Sequence, residues 1–471
     1  MKQTRIHAFS DDLLADHDAV ALAELVRRGE VSAAELAEAA IARVEKVNGA
    51  LNAVQLADYD RARQHAAKAK VGAGVFAGVP TFIKDNTNVA GLPTGHGSRA
   101  VALTPAEKDG DFARQFLAQG FTMLGKTTLP EFGFNGTTEY QHDAPTRNPW
   151  HTDHSSGGSS GGSAALVAAG AVPIAHANDG GGSIRIPAAC CGLIGLKSTR
   201  GRFLTNEMAK SLPVNIVSDG VVSRSVRDTA HFFAGAESYW TNKKLKPVGL
   251  VEGPATRRLR VGLIIDSIVG ETCRETRATM EQTAALLEGM GHQVETLPVP
   301  VPPSFVEDFS DYWAFLAYMA GRFGQHSFGK GFDASQLDNL SLGLAGRFRK
   351  RGWRLPAVLF RLARSKQQYA EVMRNFDVIL SPVLAHVTPE LGFLNPQVPF
   401  DELFERMMNY VSFTPINNAS GSPAISLPVG MSEKGLPIAV QFSSAHGDER
   451  TLLELAFEIE QTQPWQRIDL G

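Results

Sequence analysis

The 471-residue sequence predicts an α/β fold. Two observations predict it. Short β-favouring runs alternate with segments whose apolar residues recur at helical spacing, and no repeat or linker breaks that alternation. With 43% of its residues hydrophobic, the chain can bury a large core, and a single domain over 1–471 is the expectation.

Taken in order, the apolar residues of 18–47 fall at Leu22, Leu25, Val26, Leu36, Ala40, Val44 and Val47. They are interrupted at Gly29 and restart at Ser32 with Glu35 three residues on, a capping-box pattern that predicts a helical hairpin over 18–47. Residues 79–83 read as a strand that ends at Lys84, followed by a Gly/Pro/Asn-rich loop up to Ser98. DFARQFLAQGFTMLGKTTL (111–129) reads as helix, Gly120, then strand. SSGGSSGGS (155–163) runs into the apolar AALVAAGAVPIA with no shift of composition, so it opens a helix rather than separating domains. A strand at 259–265, a helix at 275–290 and a strand around HQVETL (292–297) continue the rhythm. Residues 303–375 are aromatic and Arg-rich and read as a helical insertion whose basic face is a solvated surface. FDVILSP, SPAISLPVG and LPIAVQFSS then read as strands, and TLLELAFEIEQ as a closing helix.

Charge and cysteine content narrow the function. Forty-six Lys and Arg against 49 Asp and Glu leave a net charge of −3 with no long run of either sign, so neither nucleic acid nor a membrane is an expected partner. A small neutral substrate fits better. Three cysteines, two of them adjacent at Cys190 and Cys191, build neither a disulfide framework nor a metal clip. The N-terminal residues lack an apolar signal region and no apolar run of about 18 residues occurs, so a cytoplasmic location is expected.

The chemistry concentrates at NDGGGSI (178–184). Acyl transfer needs a nucleophile, a base for its proton and fixed donors for the oxyanion. Three successive glycines, Gly180, Gly181 and Gly182, can gather consecutive N–H groups into one concavity around Ser183, and Pro187 suits the first turn of a following helix. Ser159 lies 24 residues upstream in GGSSGGS, and Lys84 closes a buried-looking strand.

Together with GVPTFIKDN, GLPTGHGS, TTLPEFGFNGTTEY, NDGGGSIRIPAACCGLIGLK, SDGVVSRSVRD and FTPINNASGSPAISLPVG, these motifs resemble the amidase signature family over most of the chain. The resemblance implies a large mixed β-sheet flanked by helices on both faces. It also implies a Ser–cis-Ser–Lys triad of Ser183, Ser159 and Lys84 with a cis peptide before Ser159. By the same resemblance Ser183 is expected to form the acyl-enzyme, Ser159 to relay its proton, and Lys84 to serve as base once burial lowers its pKa. Oxyanion donors are expected among the N–H groups of Gly180, Gly181, Gly182 and Ser183, with Asp179 and Arg185 bracing the loop. Asn178 and Ser156 stand where the family commonly has Thr and Pro, and neither is expected to touch the triad. The wording of the Ser183 block resembles the branch with nylon-oligomer and aryl-amide hydrolases.

In the resembled fold the cleft is walled by residues 130–150 and by the helical insertion. Phe134, Asn135, Gly136 and Tyr140 are the candidate substrate contacts, and Asn135, Thr137 and Thr138 mark that wall as partly solvent-facing. Trp150, Phe132, Tyr312, Trp313, Phe315 and Tyr318 add aromatic surface on the two sides, which favours an apolar or aryl amide. The expected reaction is hydrolysis of a carboxamide, with anilides, carbamates and esters as further candidates. No cofactor or metal is implied, and a homodimer is the candidate assembly. Two alternatives stand beside this. One is a partner-dependent amidotransferase subunit. The other is an α/β-hydrolase-like esterase, since 157–161 also matches GxSxG with Ser159 as nucleophile; that elbow must follow a strand, and NPWHTDHS has no β-branched run. His151 and His154 lack a third ligand and read as loop histidines.

Overall fold

The computed structural model describes residues 5–70 and 72–470. In chain order the helices are α1 (Ala19–Arg28), α2 (Ala33–Leu51), α3 (Tyr59–Ala66), α4 (Asp111–Leu117), α5 (Gly161–Ala168), α6 (Arg185–Cys191), α7 (Glu207–Lys210) and α8 (Val226–Tyr239). They continue with α9 (Arg274–Gly289), α10 (Phe305–Arg322), α11 (Gly324–Phe328), α12 (Asn339–Arg351), α13 (Leu355–Val372), α14 (Phe400–Tyr410), α15 (Pro415–Ser420) and α16 (Glu449–Thr462). The strands are β1 (Val54–Ala57), β2 (Pro80–Lys84), β3 (Thr122–Thr127), β4 (Ile174–Asp179), β5 (Ile194–Lys197), β6 (Ser218–Ser223), β7 (Arg260–Leu263), β8 (Gln293–Thr296), β9 (Val378–Pro382), β10 (Ala424–Met431) and β11 (Pro437–Ser444).

Eight strands form one mixed sheet in the order β4-β6-β5-β10-β11-β9-β7-β8. Pairing is antiparallel from β4 to β9 and parallel among β9, β7 and β8. Side chains alternate across a strand, so β11 shows what covers each face. Gln441 accepts from Arg185 of α6 and Ser443 bonds Tyr369 of α13, while Val440 and Phe442 point the other way into the main core with Leu452 and Ala456 of α16. Helices therefore cover both faces.

The N-terminal hairpin forms as its pattern requires. Asp18 caps α1, Gly29 ends it at φ 71°, and the Ser32–Glu35 capping box opens α2 with both reciprocal bonds present. A separate three-stranded sheet, β1-β3-β2, holds Lys84 at its end, a subdivision the sequence pattern did not announce. It is docked on the large sheet through β4: Thr81 Oγ1 donates to Ile174 O at 2.9 Å and Lys84 N to His176 Nδ1 at 3.2 Å. Those two bonds bring the end of β2 against the strand that leads to Ser183.

Candidate active site

Lys84 is completely buried, and its Nζ lies 2.7 Å from Ser159 Oγ, 2.8 Å from Asn178 Oδ1 and 2.9 Å from Ser160 Oγ. Among the described residues no carboxylate oxygen is within 4.0 Å of it. Burial brings its ammonium down to about 7, against the opposing pull of Asp179 and Asp219. The lysine is thus held by neutral oxygens alone.

Ser159 follows a cis peptide bond from Gly158 and is 2% exposed. A Cβ on Gly158 would sit 2.7 Å from Asn135 O and 2.8 Å from Thr137 N, so only glycine permits this backbone approach. The segment ahead of it contributes only isolated bridges, Arg147 to Ser155 and His154 to Glu390, and no strand. Ser159 therefore does not stand on the exposed strand-to-helix turn that a GxSxG elbow requires. His151 and His154 pack edge-on against each other, ring centroids 4.5 Å apart.

Ser183 sits between β4 and α6. Gly180, Gly181 and Ser183 are partly exposed, whereas Gly182 and Ile184 are buried. The Asp179 carboxylate accepts from Gly182 N at 2.7 Å and Ile184 N at 3.2 Å. This corrects the expected donor set, because the Gly182 N–H is already occupied by Asp179. The N–H groups of Gly180, Gly181 and Ser183 have no acceptor among the described residues and remain available to an oxyanion.

Arg185 is fully buried and commits its whole guanidinium to the loop's frame. It grips Asp179 with two bonds of 2.9 and 3.0 Å, and reaches Thr414 O, Asn417 Oδ1, Gln441 Oε1 and Asn418 Oδ1. Burial alone would raise the Asp179 carboxyl, but the Arg185 charge and hydrogen bonds, with Lys197 and Asn418, hold it well below the carboxylate range. Asn418 Nδ2 returns bonds to Asp179, and Thr414 Oγ1 donates to Gly181 O at 2.6 Å. The FTPINNASG block thus clamps the Gly180–Ser183 loop from more than 200 residues away, a contact its sequence alone did not disclose.

Two further residues escaped the sequence reading. Ser160, the neighbour in GGSSGGS, donates to Ser183 O at 2.6 Å while accepting from Lys84. Asn178 was expected to stay clear of the triad, yet it binds Lys84 directly; its amide is fixed by reciprocal bonds with Asn86 of 3.0 and 3.2 Å. A side chain at the end of β4 faces the end of β2 because the two strands dock edge to edge. Ser156, the other departure, makes its bonds to Thr146 O and Gly157 O instead.

The expected substrate wall needs correction. Asn135, Thr137 and Thr138 are buried, not solvent-facing. Asn135 donates to Leu394 O and accepts from Thr137 N, and Thr138 donates to Gly157 O, so these polar groups support the turn beneath Ser159. Gly136 packs under Met407 and Val411, and Tyr140 buries its hydroxyl. Of the four candidates only Phe134 and the rim of Tyr140 retain exposure. Tyr312 is buried and bonded to Val214, while Phe315 and Tyr318 pack on Phe348 inside the insertion. The apolar cavity lies elsewhere. About 60 Å³ in volume, it is lined by residues including Ile264, Phe305, Phe309, Met408, Val411 and Ile416. Phe309 approaches the Gly180–Ser183 loop, its ring 3.7 Å from where a Gly181 Cβ would lie.

The family profile described as Amidase matches residues 35–453. The Mycobacterium leprae (strain TN) chain named "Putative amidase AmiC" is 49% identical over 468 residues, covering 99% of each chain. The solved 6-aminohexanoate cyclic dimer hydrolase, complexed with substrate, superposes with a TM-score of 0.87 at 32% identity over 98% of this chain and 99% of that one. A bacterial aryl acylamidase of the amidase signature enzymes superposes at 0.84 with 25% identity over 95% and 96%.

Proposed function

The chain belongs to the amidase signature family and is an amide hydrolase; on that premise we propose that it acts through an acyl-enzyme on Ser183, with Ser159 as relay and Lys84 as base. The observation that carries the proposal is the hydrogen-bond arithmetic around Lys84. A neutral amine has two N–H donors and one lone pair. Asn178 Oδ1 only accepts, and the single proton of Ser160 is committed to Ser183 O, so both take N–H groups from Lys84. The lone pair is left for the hydroxyl of Ser159, 2.7 Å away.

The steps follow. Ser183 Oγ attacks the amide carbon as its proton passes to Ser159 Oγ and the proton of Ser159 passes to Lys84 Nζ. The oxyanion of the tetrahedral intermediate is held by free N–H groups of Gly180, Gly181 and Ser183, in a loop that Asp179 and Arg185 keep from relaxing. The proton returns through Ser159 to the leaving nitrogen, the C–N bond breaks, and water enters by the same relay to release the acid. Because the base must be neutral, the acid limb of kcat/KM should lie near the pH at which Lys84 titrates, about 7.

The apolar cavity beside Gly181 favours a neutral aryl or medium-chain acyl or amine group. The proteins similar to this chain act, by their names, on a cyclic amide dimer and on aryl acylamides, which accords with that preference. Kinetics of variants test the triad. Ser183→Ala should abolish turnover, and Ser159→Ala and Lys84→Ala should each lose several powers of ten, with the double variant little worse than either alone. Additive losses would contradict a shared relay.

A further inference from the structure

Residues 339–370 contain eight Lys and Arg and no Asp or Glu, in a chain whose net charge is −3. Half of this charge turns inward. Arg347, Arg351, Arg354 and Arg361 pair with Glu307, Asp308 and Asp311 of α10, which ties α12 and α13 to the wall of the apolar cavity. The other half, Arg349, Lys350, Arg364 and Lys366, is exposed and has no carboxylate within 4.0 Å among the described residues.

Between these free cations runs an apolar stripe. Trp353 is 81% and Phe360 62% exposed, and Pro356, Ala357 and Ala363 are exposed or half-buried with them. Spacings of three, four and seven residues put them on one side of α13 and the turn before it, opposite the buried Val358, Leu362 and Tyr369. On α12, Leu342 is 47% exposed and the free Arg349 lies seven residues on. Arg364 lies 5.6 Å from the Phe360 ring centroid, so a cation rims the aromatic stripe. Helix α13 is therefore apolar on two faces, one packed on the fold and one in water.

Against the expectation from net charge of a merely solvated basic face and no membrane partner, we propose that the outer face of α12 and α13 docks peripherally on an anionic lipid surface. Exposed Trp and Phe flanked by Lys and Arg suit the boundary between headgroups and acyl chains, where the rings leave water and the cations meet phosphate. No helix among the described residues is long and apolar enough to cross a membrane, so the mode is attachment rather than insertion. A second copy fits less well. A two-fold interface would set four unpaired cations against the same four, whereas anionic lipid supplies the missing countercharge. A phosphate polymer would supply charge but leave the stripe in water.

Co-sedimentation with phosphatidylglycerol–phosphatidylcholine vesicles, against pure phosphatidylcholine vesicles, tests this. The chain should pellet with the anionic vesicles and be released by high salt. Each charge near an anionic surface is worth about fivefold, so Arg349→Gln with Lys350→Gln should lower partition about 25-fold. Trp353→Ser with Phe360→Ser should lower it at least about tenfold, and both pairs should hydrolyse a soluble anilide at the parent rate. Equal pelleting with neutral vesicles, no pelleting at all, or a concentration-dependent dimer that Trp353→Ser with Phe360→Ser dissolves would each overturn the proposal.

Discussion

Replacing Asn178 with Asp changes the charge beside Lys84, the proposed base, while keeping the side chain's size. Asn178 Oδ1 is 2.8 Å from Lys84 Nζ, and a unit charge at that distance is worth about 6 kcal/mol at an effective dielectric of about 20. Desolvating the new carboxylate offsets part of this. If about 3 kcal/mol survives, it favours the ammonium by about two pH units at 1.36 kcal/mol each. The sign follows from what the base does. A more stable ammonium withholds the lone pair, so the acid limb moves up from about 7 toward 9. At pH 7 the neutral fraction falls from about one half to about one hundredth, so kcat/KM should fall about fiftyfold and recover as pH rises. The assay is kcat/KM for an anilide from pH 5 to 10, with circular dichroism to establish the fold. An acid limb that stays near 7 in Asn178→Asp would refute the assignment of Lys84 as the base, since no titrating amine at that position could ignore an adjacent carboxylate.

Two other outcomes are expected. For the substrate, kcat/KM for an aryl or medium-chain amide should exceed that for acetamide, malonamate or glutamine by at least about tenfold, or ~1.4 kcal/mol, in a steady-state panel; a preference for a small charged amide would contradict the cavity assignment. For stability, Arg185→Met leaves the buried Asp179 carboxylate unpaired and should cost about 3–5 kcal/mol in urea unfolding, and an unchanged midpoint would mean that the clamp is not needed for the fold.

How much of this was legible in the sequence depended on the range of the interactions. The hairpin of α1 and α2 was readable because Gly29, Ser32 and Glu35 act within a few residues of themselves. The strands β5 and β6, by contrast, each of only four to six residues inside motif-rich segments, carried no alternation to read. The positions of Lys84, Ser159 and Ser183 could be named from motifs, but their surroundings could not. Asn178 meets Lys84 across 94 residues and Asn418 meets Asp179 across 239, and no local spacing records such contacts. Asn135, Thr137 and Thr138 misled for a related reason. Polar residues usually mark solvent, but here they satisfy the backbone where Gly158 passes close to it.

The nucleophile is tested most directly by trapping the covalent intermediate. The protein should be reacted with a fluorophosphonate and, separately, quenched during turnover of an anilide, then digested and mapped by mass spectrometry. A single adduct on Ser183, absent from Ser183→Ala and slowed by Lys84→Ala, is the expected result. An adduct on Ser159 with Ser183 unmodified would contradict it.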